Sequence, residues 1–296
     1  MPAKIVAVMN QKGGVGKTTT TVNLGAILAQ EFGKRILLAD LDPQGNMSDH
    51  VGLDPNLVEE SIYNVLIDGM DPRLAIRRVH GLEALPANLD LSGAEVELAG
   101  MEDRGVRLRN ALLSVRDQYD YIIMDCPPSL GLLTVSGLAA ADAVLVAMEA
   151  EYLALRGISQ LLHAVGMVGD AMNPGLEIMG VVFCMFDGRT TLAREVRAEV
   201  EKHLPGKVFS TVVRKNVRLA EAPSRGMPIT EYDPRCAGAD DYRGVAAEFL
   251  ARFDDVPLAV AEVPVEEEVV DILAEMPVVP EVTEGRGDWQ RQPQWR

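Results

Sequence analysis

NQKGGVGKTT, running from Asn10 to Thr19, decides the fold of this chain. An apolar run, residues 5–9, leads into it, and a helix-forming stretch, residues 18–32, leads out. Glycines between a strand and a helix let the backbone turn tightly and aim its N–H groups at one point. The helix N-terminus adds the positive end of its dipole there. Such a loop cradles phosphate. Lys17 can reach the outer phosphates of a nucleoside triphosphate, and the Thr18 hydroxyl is placed to ligate Mg2+. Gly13, Gly14, Val15, Gly16, Lys17, Thr18 and Thr19 are therefore the candidate nucleotide-binding residues, with Lys17 also catalytic.

Working outward, short apolar runs alternate with amphipathic stretches. Residues 5–9, 36–39, 82–85, 121–124, 143–147, 180–185 and 207–212 read as strands, and residues 18–32, 108–115, 154–168 and 192–203 as helices. Gly33 is expected to cap the first helix. Repeated strand–helix units imply an α/β fold: a mostly parallel, twisted central sheet of P-loop NTPase type, flanked by helices on both faces. No repeat of solenoid period is seen.

The composition shifts near Asp254. Residues 254–296 hold 11 acidic and 3 basic residues, half of the chain's formal net charge of -16. One folded domain is expected over residues 1–253, followed by an acidic tail rich in Pro, Val and Glu that is expected to be disordered, with an acidic helix over residues 265–276 as the alternative. No run of about 18 uncharged apolar residues occurs, which argues against a membrane span. The N-terminus does not read as a signal peptide. Cys126, Cys184 and Cys236 lack metal-ligand spacing, and a sparse, odd set fits a reducing cytosol.

Asp40 and Asp42 close the second apolar run in LLADLDPQGN, and Asp125 closes another in YIIMDCPP. Ligands bind at the carboxyl ends of parallel strands. One of the first two acids can orient an attacking water, and the other can support Mg2+ or the loop. An apolar strand ending in an acid is a Walker B pattern, so Asp125 is expected to hold Mg2+ through a water.

The lysine before the first glycine, Lys12, makes the loop resemble the deviant Walker A of the ParA/MinD superfamily. The wider set NQKGGVGKTTTTVNLG, LLADLDPQGN, LSGAEVEL, YDYIIMDCPPSLGLLT, EYLALRG, NVRLAEAPSRGMPI and YDPRCAGADDY resembles the ParA/Soj partitioning ATPases from about Lys4 to Phe253. The resemblance implies an ATPase with ATP and Mg2+ as cofactors, working as an ATP-bound sandwich homodimer. That dimer binds double-stranded DNA without sequence preference and is stimulated by a ParB-type centromere-binding partner. A cytoplasmic, nucleoid-associated protein that uses no membrane is implied. Lys12 would reach the partner subunit's nucleotide, where a second cation offsets charge developing during transfer. The resemblance makes Asp42 the residue needed for hydrolysis, puts Asn216 at adenine, and gives Arg189 and Arg218 to DNA, with Arg214 and Lys215 adding charge. The family usually has Pro-Arg before the position of Asn216, where this chain has Arg214-Lys215. Three other readings compete: a MinD-like ATPase on a membrane, an electron-transfer protein of nitrogenase iron-protein type, and a nucleotide-gated regulator of replication or transcription.

Overall fold

The computed structural model describes residues 2–151 and 154–253. Seven strands form one sheet: β1 (Lys4–Met9), β2 (Ile36–Asp40), β3 (Arg77–Val79), β4 (Leu82–Leu85), β5 (Tyr121–Asp125), β6 (Ala143–Glu149) and β7 (Glu177–Cys184). Their order is β3-β4-β2-β5-β1-β6-β7. Only the β3–β4 hairpin is antiparallel.

Alternation along each strand builds two cores. Ile5, Ala7 and Met9 of β1 point into one, with Leu138, Leu161 and Val165 from helices Leu132–Ala140 and Ala154–Ala171. Val6 and Val8 point into the other, with Leu24, Ile27 and Leu28 from helix Lys17–Gln30 and Tyr242, Val245 and Phe249 from helix Ala237–Phe253. Strands covered on both faces must be apolar throughout, which is why the central strands read as unbroken hydrophobic runs. Phe253 closes the second core at the foot of β5, its ring 5.2 Å from Tyr121 and 4.9 Å from Phe249.

Six of the seven expected strands lie where β1, β2, β4, β5, β6 and β7 form. Residues 207–212 differ. They run beside β7, with Phe209 N–H donating to the Val181 carbonyl at 2.9 Å, but make only one isolated bridge, Val208 to Val181. The Ser210 and Thr211 N–H groups turn instead to the Glu248 carboxylate, at 2.8 and 2.6 Å. A helix side chain has taken the Thr211 donor that a continuous ladder with β7 needs. Gly33 is left-handed, φ 65°, two residues beyond the helix cap at Glu31. The acidic segment 254–296, with the helix expected over 265–276, lies outside the described residues.

The short helix Asn46–His50 buries His50 to 2% exposure, and its Nε2 has no partner among the described residues. Burial lowers its pKa from 6.5 to about 4, with His80 adding repulsion against a Met227 backbone hydrogen bond. Below about pH 6.5 the unfolded chain binds a proton that the folded chain refuses, so stability falls as pH drops from 6.5 to 4. At about 1.4 kcal/mol per unit, the loss approaches ~3 kcal/mol. Urea unfolding at a series of pH values is expected to show this slope in the parent and a shallower one in His50→Leu; equal slopes would place the acid sensitivity elsewhere.

Candidate functional site

β1 delivers the chain to the glycine loop at the carboxyl end of the sheet, and helix Lys17–Gln30 carries it away. Gly14 and Gly16 are left-handed, with φ of 75° and 95°. Gly16 also lacks room, since a Cβ there would lie 3.2 Å from the Cβ of Cys184. Lys17 is buried and folds back so that Nζ donates to the Lys12 carbonyl at 3.2 Å. Its ammonium therefore stands within the loop. Desolvation lowers its pKa, opposed by the charges of Asp125 and Asp42.

Strand register brings the acids to the same place. β5 lies between β1 and β2, so Asp125 is level with Val8 on one side and Asp40 on the other. The Thr18 hydroxyl donates to Asp125 Oδ2 at 2.7 Å, and the Thr21 hydroxyl to Oδ1 at 3.4 Å. Asp40 serves its own chain. Its Oδ1 accepts the Asp42 N–H at 3.1 Å, and its Oδ2 accepts the N–H and hydroxyl of Ser48 at 2.9 and 2.7 Å. It organises the turn that carries Asp42. Asp42 is 7% exposed and its Oδ1 accepts the Gln44 N–H at 3.0 Å. The turn closes through left-handed Gly45.

Asp125 and Asp42 thus face the Lys17 ammonium, with Asp40 beside Asp125. Desolvation pushes Asp40 and Asp125 well above the usual carboxylate range, and Asp40 and Asp42 raise Asp125 further. No group of three or more His, Cys, Asp or Glu side chains that could hold a metal occurs among the described residues. The adjacent Thr18 hydroxyl and Asp125 carboxylate suit a hard divalent ion that takes its other oxygens from phosphate and water. Such an ion brings the positive charge that the three carboxyls lack. Cys126 and Cys184 are buried, and burial pushes both thiols up, so neither offers a thiolate.

Lys12 turns toward the end of β6. Its Nζ lies 2.5 Å from the Glu151 carboxylate and 3.3 Å from Glu149, which raises its pKa. Asn10 sets the shoulder of the loop: Nδ2 donates to the Ala147 carbonyl at 2.7 Å and Oδ1 accepts the Lys12 N–H at 3.0 Å. Sequence reasoning missed the two glutamates, although Glu149 ends the strand beside β1 as Asp125 ends the strand on its other side.

The remaining candidates lie beyond β7. Asn216 Oδ1 accepts the Arg218 N–H at 2.8 Å and caps helix Val217–Glu221. Arg189 is 90% exposed and folded onto Asp187 at 2.7 Å. Arg218 pairs with Glu221 at 2.8 Å and Asp233 at 3.4 Å. Lys215 is exposed, with no ion pair among the described residues. Arg214, expected to add charge for DNA, is held differently: its guanidinium meets both oxygens of the buried Asp241, at 2.6 and 3.0 Å.

A family model described as an AAA domain matches residues 3–178. The sporulation initiation inhibitor protein Soj of Bacillus subtilis is 50% identical over 250 residues, covering 84% of this chain and 98% of that protein. The chromosome-partitioning ATPase Soj of Treponema pallidum is 48% identical over 251 residues, with the same coverage. The chromosome partitioning protein ParA of Caulobacter vibrioides is 44% identical over 259 residues, 86% of this chain and 96% of that one. Among solved structures, cobyrinic acid a,c-diamide synthase of Mycobacterium smegmatis with bound ADP and magnesium is 36% identical, with a TM-score of 0.75 over 88% of this chain and all of that one. The cell division ATPase MinD of Pyrococcus furiosus is 25% identical, with a TM-score of 0.70 over 85% of this chain and 99% of that one.

Thr18→Val keeps the shape of the side chain and removes its hydroxyl. Calorimetric titration with a nucleoside triphosphate is expected to show affinity in Mg2+ falling about ten- to a hundredfold, with affinity in chelator unchanged. An equal loss in both would assign Thr18 to phosphate and not to the metal.

Proposed function

Because the chain belongs to the ParA/Soj family of partitioning ATPases, we propose that it moves DNA cargo by an ATP cycle in which a dimer binds DNA and hydrolysis releases it. The observation that carries this reading is the joined cradle of Lys17, Thr18 and Asp125, with Asp42 fixed beside it and Lys12 at its rim. The nucleotide is ATP. The loop N–H groups from Gly13 to Thr19 and the Lys17 ammonium hold its phosphates. Thr18, and Asp125 through a water, would hold Mg2+, which would supply neutralising positive charge beside the phosphates. Asp42 orients the attacking water; its fixed, nearly buried carboxylate accepts a hydrogen bond from that water in place of bulk solvent.

Lys12 acts in the partner subunit. Its pairing with Glu149 and Glu151 is exposed, and exposed pairs are worth only about 0–1 kcal/mol. A triphosphate presented across a dimer offers more charge and draws the ammonium away. The same exchange serves DNA. Arg189 and Arg218 sit on acids of their own surface turns, and phosphate can replace those acids at little cost. Lys215, without an ion pair among the described residues, adds a further cation. These contacts touch the backbone of the duplex and read no sequence. A ParB-type partner stimulates turnover. No helix among the described residues is long and apolar enough to cross a membrane, and the protein works in the cytoplasm on the nucleoid.

Filter or fluorescence binding of duplex DNA tests the cycle. Binding is expected with ATP and not with ADP or without nucleotide, with equal affinity for unrelated sequences and a steep decline as salt rises. Arg218→Glu is expected to abolish binding while ATP-dependent dimerisation persists. DNA binding indifferent to nucleotide, or an Arg218→Glu protein with parental affinity, would overturn the assignment.

A further inference from the structure

Arg214 and Asp241 form the most completely satisfied ion pair beside the candidate site, and the nucleotide chemistry above leaves it unused. The Arg214 backbone N–H donates to Asp241 Oδ2 at 2.9 Å. Its Nε lies 3.0 Å from both carboxylate oxygens, and its terminal nitrogen 2.6 Å from Oδ1. The Asp241 side chain is 9% exposed. Such a carboxylate is costly to bury unless each oxygen is bonded, and among the described residues every hydrogen bond to it comes from Arg214.

The position of the pair matters more than its strength. Arg214 stands at the edge of β7: Val213 N–H donates to the Phe183 carbonyl at 2.8 Å, and Phe186 N–H to the Val213 carbonyl at 3.0 Å. β7 is also the strand whose Cys184 lies against Gly16 of the phosphate loop. The next residue on the acid's helix, Tyr242, is fully buried, with its hydroxyl 3.1 Å from Thr20 Oγ1 on the phosphate-loop helix. Neighbouring residues of helix Ala237–Phe253 therefore grip the two ends of one site, Tyr242 at the phosphate loop and Asp241 at the segment leading to Asn216. The same helix turn touches that segment again, because a Cβ on Gly238 would meet Leu219 at 2.7 Å and Asn216 at 3.3 Å.

We infer that the Arg214–Asp241 pair is a positioning device that fixes the base-reading segment around Asn216 at a set distance from the phosphate loop, and so governs affinity for the purine base of the nucleotide. This rests on the reading of Asn216 as the base contact. Asn216 Oδ1 is committed to the Arg218 N–H, which orients the amide and leaves the Nδ2 hydrogens as donors to a ring nitrogen. Proline at position 214 would stiffen the segment through its ring but would lack the N–H that Asp241 accepts. In this chain the ion pair does the holding.

Binding of ATP and of inorganic tripolyphosphate, which has the phosphates and no base, separates positioning from stability. Arg214→Ala is expected to weaken ATP about tenfold, the worth of one hydrogen bond, and to leave tripolyphosphate affinity unchanged. Because this variant strands a buried carboxylate, the double variant Arg214→Leu/Asp241→Leu is measured beside it. It removes the orphan charge, restores the melting temperature, and is expected to keep the ATP defect. Asn216→Ala is expected to lower the same ratio of affinities. An unchanged ratio in both Arg214 variants, with a lowered ratio in Asn216→Ala, would overturn the positioning role and spare the base contact. A lowered ratio in the Arg214 variants with none in Asn216→Ala would uphold the positioning role and move the base contact to another residue of the segment.

Discussion

The hydrogen bond from Thr18 to Asp125, 2.7 Å long, is the contact on which the site is organised. It joins the first residues of the phosphate-loop helix to the end of β5, two parts of the chain more than a hundred residues apart. It exists because β5 pairs directly with β1, which sets Asp125 level with Val8 just below the loop. Register does the rest. β2 pairs with the other edge of β5, so Asp40 lies level with Asp125, and the turn it organises puts Asp42 within electrostatic reach of Lys17. A slip of one residue in either pairing would turn these carboxyls to the opposite face of the sheet.

Charge is deliberately incomplete around that contact. Asp125 and Asp42 face one buried lysine, burial raises the Asp125 pKa, and an arriving cation would restore its charged form. Three cationic groups, one at the rim and two beyond β7, are in the opposite state. Lys12, Arg189 and Arg218 all lean on exposed acids of their own chain. Exposed pairs of this kind are weak, so each cation can be exchanged to another anion at little cost. Arg214 is the exception, because its acid is buried and its pair cannot be exchanged at low cost.

Much of this was legible in the sequence. The phosphate loop, the central strands and the strand-end acids all follow from apolar runs meeting glycine or aspartate, which is local information. Helix Ala237–Phe253 could also have been read, since Tyr242, Val245, Ala246, Phe249 and Phe253 recur at helical spacing. What was not legible is pairing between distant segments. Nothing near residues 207–212 announces that Glu248 will take two of their N–H groups and break a strand. Nothing near Lys12 announces Glu149 and Glu151, because only the adjacency of β1 and β6 brings them there. Arg214 looked like surface charge because its partner lies 27 residues away on a helix. Asp40 and Asp42 look alike in sequence, and only the Ser48 contacts separate a loop organiser from a residue at the site.

The central claim is that a complete catalytic site forms between two subunits, with the cradle of one facing Lys12 of the other. ATP turnover per subunit, measured across a dilution series, tests it directly. Specific activity should rise with protein concentration and level off where light scattering shows a dimer in ATP, and Lys12→Ala should stay low throughout. Specific activity that is constant down to concentrations where only monomer scatters would contradict the account, because each subunit would then carry a finished site of its own.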